Sequence, residues 1–207
     1  MESGAKIDNR LFILILQHPR EKREPLATAG LAAAMLARAK LAVGLSWPNL
    51  ARALGSAGAG ARAADPRRWA VLHLGSARPR TFGLECPVVA LDRRGQPAAD
   101  QAAMLRGLDG AVLLDGSWGE AKALWWRNPW LLKLRRLVLD PQRPSDFNRV
   151  RREPRREALS TIEAAALLLA HIEGRPDIET ALKGALDGLI AAATPAAGRQ
   201  ARPRSAI

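Results

Sequence analysis

The chain of 207 residues is 48% hydrophobic and 25% charged, enough to bury one sizeable core and too short for several. Thirty-two Lys and Arg against 20 Asp and Glu leave a formal charge of +12, which favours an anionic partner, nucleic acid before a membrane surface. A lone cysteine, Cys86, excludes an internal disulfide and a thiolate metal cluster within the chain, and suits a reducing cytoplasm.

In chain order, the first element is the aliphatic run LFILIL (11–16). It is far shorter than the roughly 20 residues of a membrane span, and no small-residue cleavage site follows it, so a soluble cytoplasmic protein without membrane association is expected. An Ala- and Leu-rich stretch at 26–40 predicts a helix, and LAVGLSW (41–47) a second strand. GSAGAGARAADP (55–66) reads as a flexible loop; it lacks the lysine of a phosphate-binding loop. Strands are predicted again at 69–75, 111–115 and 135–140, and helices at 98–107, 119–127, 160–172 and 178–193. The strand runs are continuous and not alternating, as in strands covered on both faces. An α/β fold with a mostly parallel sheet flanked by helices follows, as a single domain over 1–193, with TPAAGRQARPRSAI (194–207) as a disordered basic tail.

Ligands in such folds sit beyond the carboxyl ends of strands, which selects His18, Gly75 and Ser76, Asp115 to Trp118, and Asp140 to Ser145. Asp115 ends an aliphatic strand and precedes Gly116, so its carboxylate sits where the backbone can turn sharply; it reads either as a base or as the start of a turn. Ser117 with Glu120, and Ser160 with Glu163, match the capping box of a helix start, and Gly174 a helix stop. Thr161 adds a hydroxyl at a helix N-terminus, where a ligand carboxylate is favoured. Four of six tryptophans fall between Trp118 and Trp130. Helical spacing favours core packing for them, while the outward member of the Trp125–Trp126 pair would suit base stacking; the sequence leaves open which one that is. From Lys133 to Arg156 there are nine basic residues and three acids, a bias that favours phosphate contacts over a merely solvated face. No ligand-spaced cluster accompanies His18, a position more often structural than catalytic, so no metal is expected.

Three blocks, QHPREKREPLATAGL, LLDGSWGEAKAL and PSDF through RREPRREALSTIEAAALLL, resemble in order the motifs of the DTW-domain family. The naming Asp-x-Thr-Trp element stands here as Asp115-Gly116-Ser117-Trp118, and the likeness runs over about 11–190. The resemblance implies a SPOUT-related fold with a C-terminal trefoil knot. It also implies transfer of the 3-amino-3-carboxypropyl group of S-adenosylmethionine, a co-substrate, to N3 of a tRNA uridine, releasing methylthioadenosine. On the same ground Asp115 would be the general base, with Ser117 and Trp118 shaping its pocket. Gly75, Ser76, Asp115, Gly116, Pro141, Ser145, Ser160 and Thr161 would enclose the co-substrate, Thr161 meeting its carboxylate. tRNA would be held by His18, Lys133, Arg149, Arg151, Arg152, Arg155 and Arg156, and no stable protein partner is expected.

Three departures stand out: the cysteine cluster with which many relatives begin is missing, Ser117 replaces Thr, and Phe147 stands where relatives often have Tyr. Two other readings remain. A SPOUT-type RNA methyltransferase would use the same donor, and a non-catalytic RNA-binding protein would need only the basic residues.

Overall fold

The computed structural model describes residues 5–21, 28–58, 64–72, 82, 84, 86–92, 94–140 and 159–193. Six strands form one sheet in the order β2-β1-β5-β3-β6-β4: β1 (Phe12–Gln17), β2 (Ala39–Val43), β3 (Trp69–Leu72), β4 (Val88–Leu91), β5 (Gly110–Asp115) and β6 (Arg135–Leu139). All neighbouring pairs are parallel except β4 with β6, so the sheet is mostly parallel, as expected. The helices are α1 (Thr28–Met35), α2 (Leu50–Leu54), α3 (Gln101–Arg106), α4 (Trp118–Arg127), α5 (Thr161–Glu173) and α6 (Pro176–Ala193).

Strand alternation divides the aliphatics between two cores. Ile13 and Ile15 of β1, with Ala111 and Leu113 of β5, point into a core shared with α1, α5 and α6. Leu14 and Leu16, with Val112, Trp69 and Val71, point the other way, towards α2, Leu124 of α4 and Trp130–Leu131. The result is a sheet between two helical layers. Each fully buried Leu or Ile contributes on the order of 1.5–3 kcal/mol, which explains the unbroken apolar runs of the central strands.

Several sequence expectations need correction. The helix expected over 26–40 ends at Met35, because Ile7 bridges to Leu36, the Ala37 N–H bonds to the Ile7 carbonyl, and Asn9 accepts from the Arg38 N–H. The second strand therefore begins at Ala39, in register with Ile13, and stops at Val43 instead of reaching 47. β4, an antiparallel edge strand, and the short helix α2 were not anticipated. The loop expected at 55–66 holds 3-10 turns at Gly55–Gly58 and Pro66–Arg68. Residues 73–75 of the third expected strand and the tail 194–207 lie outside the described residues.

Candidate functional site around Asp115

Gln17 and Asp115 are the last residues of β1 and β5 and face each other in register. Both continue the odd-numbered face that carries Ile13, Ile15, Ala111 and Leu113, so both side chains project to the layer of α5. There the Gln17 amide donates to Asp115 Oδ2 at 2.8 Å, and the Thr161 hydroxyl donates to Oδ1. Asp115 is 8% exposed, so these donors replace water that a carboxylate otherwise requires.

The helix that supplies Thr161 is pinned at both ends. At the other end Glu173 accepts from the N–H groups of Arg10 and Leu11, at 3.0 and 2.9 Å, just before β1. The lengths agree: 13 helical residues rise about 20 Å, and a strand of six residues spans about the same. The Ser160–Glu163 capping box and Gly174 in the left-handed conformation bound this helix as the sequence indicated.

Beyond Asp115 the chain turns through Gly116, whose φ of +154° disfavours a side chain. A Cβ there would also lie 2.9 Å from the Cβ of Glu120 and 3.4 Å from that of His18. Ser117 then opens α4 with the expected capping box, its N–H and hydroxyl both donating to Glu120 Oε2 at 2.9 and 2.8 Å. Glu120 Oε1 stands 3.3 Å from His18 Nδ1, and the His18 N–H donates to the Asp115 carbonyl at 2.9 Å. Burial pushes the Glu120 carboxyl up, but the Ser117 hydroxyl and N–H, His18 and Arg20 outweigh it and hold the group below its ordinary range.

The far end of α4 is clasped to the loop after β2. Asn128, fully buried, accepts from the Trp47 N–H at 2.8 Å and donates to the carbonyls of Leu124 and Leu45 at 2.8 and 3.1 Å. Trp130 Nε1 donates to the Trp47 carbonyl at 3.0 Å, and the Ser46 hydroxyl donates to that of Arg127. The core-packing expectation thus holds for Trp130 and for the half-buried Trp125. It fails for Trp118, 38% exposed in the first turn of α4, while the outward member of the Trp125–Trp126 pair is Trp126, 77% exposed on the side away from Leu124.

The structure brings together Asp115, Gly116, Ser117, Trp118, His18, Ser160 and Thr161. His18 sits against Glu120 with 12% of its side chain exposed, and Lys133 is exposed. The Thr161 hydroxyl donates to Asp115. Gly75, Ser76, Pro141, Ser145, Phe147, Arg149, Arg151, Arg152, Arg155 and Arg156 lie outside the described residues. Gln17 and Glu120 were not singled out for the site by sequence reasoning; the signal for Gln17 was a polar residue closing LFILILQ. Among the described residues no three His, Cys, Asp or Glu side chains converge as metal ligands would, and no helix is long and apolar enough to cross a membrane.

The sequence profile of the DTW domain matches residues 2–194. The tRNA-uridine aminocarboxypropyltransferase 2 of Drosophila melanogaster is 30% identical over 177 residues. That alignment covers 82% of this chain and 59% of the relative, so the chain matches rather more than half of that protein's length. No solved structure matches. A profile match over nearly the whole chain, with the Asp-x-Ser-Trp element at the end of a central strand, places this chain in the DTW-domain family.

Proposed function

We propose that the chain transfers the 3-amino-3-carboxypropyl group of S-adenosylmethionine to N3 of a tRNA uridine, in the cytoplasm, leaving methylthioadenosine. The observation that carries the reading is Asp115: a carboxylate 8% exposed, accepting from Gln17 and Thr161 at the end of the strand between β1 and β3, inside the family's naming element. The relative named as a tRNA-uridine aminocarboxypropyltransferase supports the same chemistry.

Uridine N3 is a poor nucleophile until its proton leaves. Asp115 takes that proton, as a positioned carboxylate general base. The nitrogen lone pair then forms the bond to the terminal carbon of the aminocarboxypropyl group, and the carbon–sulfur bond breaks with its electrons going to sulfur. The donor contributes three carbons open to displacement at one sulfonium, so selection among them is a matter of positioning. Gln17 and Thr161 fix the carboxylate, and Gly116 with the Ser117–Glu120 box fixes the turn that presents it. Ser117 and Trp118 border that turn.

The trefoil knot belongs to the same proposal, supported by the strand order. In the sheet β6 lies between β3 and β4, and β3 lies between β6 and β5, whose Asp115 bonds Thr161 at the start of α5, an order compatible with crossed connections. Most of the linking residues, 73–81 and 141–158, lie outside the described residues.

The test supplies bulk tRNA with S-adenosylmethionine labelled either in the methyl group or in the aminocarboxypropyl carbons. Only the second label should reach tRNA, and Asp115→Asn should lower transfer by about 10²–10⁴-fold with tRNA affinity unchanged. Transfer of the methyl label would make the protein a methyltransferase. Binding of tRNA without transfer of either label would make it an RNA-binding protein.

A further inference from the structure

Trp118, Lys122 and Trp126 stand at i, i+4 and i+8 on α4 and are all exposed, one row on the side away from Leu124. Trp126 is 77% exposed, the most exposed of the large hydrophobic side chains among the described residues. Lys122 Nζ lies over the Trp118 ring, 5.5 Å from its centroid, a cation–π arrangement. Arg127 and Lys133, also exposed, follow Trp126 in the chain. From Gly116 to Leu139 the sequence has five basic residues and one acid, Glu120, and that acid is turned to Ser117 and His18 with 15% of its side chain exposed.

Aromatic rings interleaved with cations, on a helix whose one acid is turned to Ser117 and His18, match a single-stranded polynucleotide: bases stack on the rings while phosphates meet the cations. A second copy of the chain fits poorly, since it would set one +12 molecule, cationic face to cationic face, against another. The row begins three residues beyond Asp115 and runs about 12 Å along the helix to Trp126, at 1.5 Å per residue, a distance of several stacked nucleotides. We propose that this face of α4 is the platform on which unpaired tRNA nucleotides flanking the target uridine stack, with Trp126 as the outer ring and Lys122 and Arg127 on the adjoining phosphates. The inference rests on the tRNA reading above.

Affinity and turnover are measured separately on the full chain. Trp126→Ala should weaken binding of bulk tRNA, and raise its KM, by about 5- to 100-fold, the effect of removing one base-stacking ring, with kcat within about twofold. Trp126→Phe should recover most of the loss. Lys122→Gln should reduce the slope of log affinity against log salt by about 0.7, the contribution of one single-strand phosphate contact. Affinity and KM of Trp126→Ala within twofold of wild type would overturn the inference while leaving the transferase reading intact. A change of oligomeric state with unchanged tRNA affinity would overturn it in favour of a protein contact. If wild type transfers no label, the transferase reading fails, and the affinity of the two Trp126 variants still decides the stacking platform.

Discussion

Thr161→Val tests the central contact of the site, because valine keeps nearly the shape of threonine and removes only the donor. The Thr161 hydroxyl donates to a carboxylate that is 8% exposed, and hydrogen bonds to charged groups contribute about 1.5–3 kcal/mol. Little cavity forms, so the cost is the lost bond plus one buried lone pair without a partner, about 2 kcal/mol in all. For a chain of this size each kcal/mol moves Tm by about 2–4 °C, so thermal unfolding followed by circular dichroism should show a fall of about 4–8 °C. Thr161→Ser keeps the donor and loses one half-buried methyl, so its cost should stay under about 1 kcal/mol. A cycle with Asp115→Asn should give a coupling of at least about 1 kcal/mol, since the residues are in contact. A valine variant melting with wild type, or a coupling within about 0.3–0.5 kcal/mol of zero, would show that Thr161 does not hold Asp115 and that the site is organised otherwise.

Two further predictions concern the elements that carry the turn. Glu120→Gln preserves a residue able to complete the capping box and removes the charge at the start of α4, a contribution of about 0.3–1 kcal/mol, or about 0.6–4 °C in Tm near neutrality. Because the folded-state carboxyl lies below its ordinary value of 4.5, this advantage is complete above that value and is lost as pH falls through the folded-state value. The gap between wild type and variant should therefore close in acid; a gap that persists there would assign the effect to packing. Asn128→Ala leaves the Trp47 N–H and the Leu45 and Leu124 carbonyls without their partner at a fully buried position, at a cost of about 3 kcal/mol. Thermal unfolding should report a drop of about 6–12 °C, and a drop under about 2 °C would show that water replaces the side chain.

The central strands were legible because burial on both faces leaves an unbroken aliphatic signature, as in LFILIL and AVLLD. The starts of α4 and α5 were legible because capping boxes are local chemistry. The limits of α1 and β2 were not, since Ile7 and Asn9, about 30 residues away in sequence, decide where the helix stops. β4 was hidden because VVAL is a four-residue edge strand flanked by Pro87 and Asp92, a weak signal until paired with β6. In the site, Asp115 and Thr161 were each marked by position, but their mutual contact joins residues 46 apart in sequence and no local pattern announces it. Periodicity alone did not orient Trp125 and Trp126, because neighbours on a helix differ by only about 100°, and the wide apolar stripe of α4 accommodates either.

The concentration of tryptophan after Asp115 follows from what α4 must do at its two ends. Its first turn is short of anchors: Gly116 and Gly119 contribute no side chain, and Ser117 and Glu120 bond mainly to each other and to the end of β1. The helix is instead fixed from its C-terminal end, where Asn128 and Trp130 bond to the loop after β2 and Leu124 and Trp125 enter the second core. A rotation of α4 by one residue would pull Leu124 out of that core and turn Lys122 towards it, so the anchored end excludes it. The same constraint carries along ten residues to the Asp115–Gly116 turn and holds Trp118 and Trp126 outward. One pair of tryptophans is therefore spent inward, fixing the helix, and the other pair is displayed by that fixing beside the proposed base. Loosening the clasp should move both together, so Asn128→Ala is expected to lower tRNA affinity and transfer in parallel, whereas Trp126→Ala touches affinity alone.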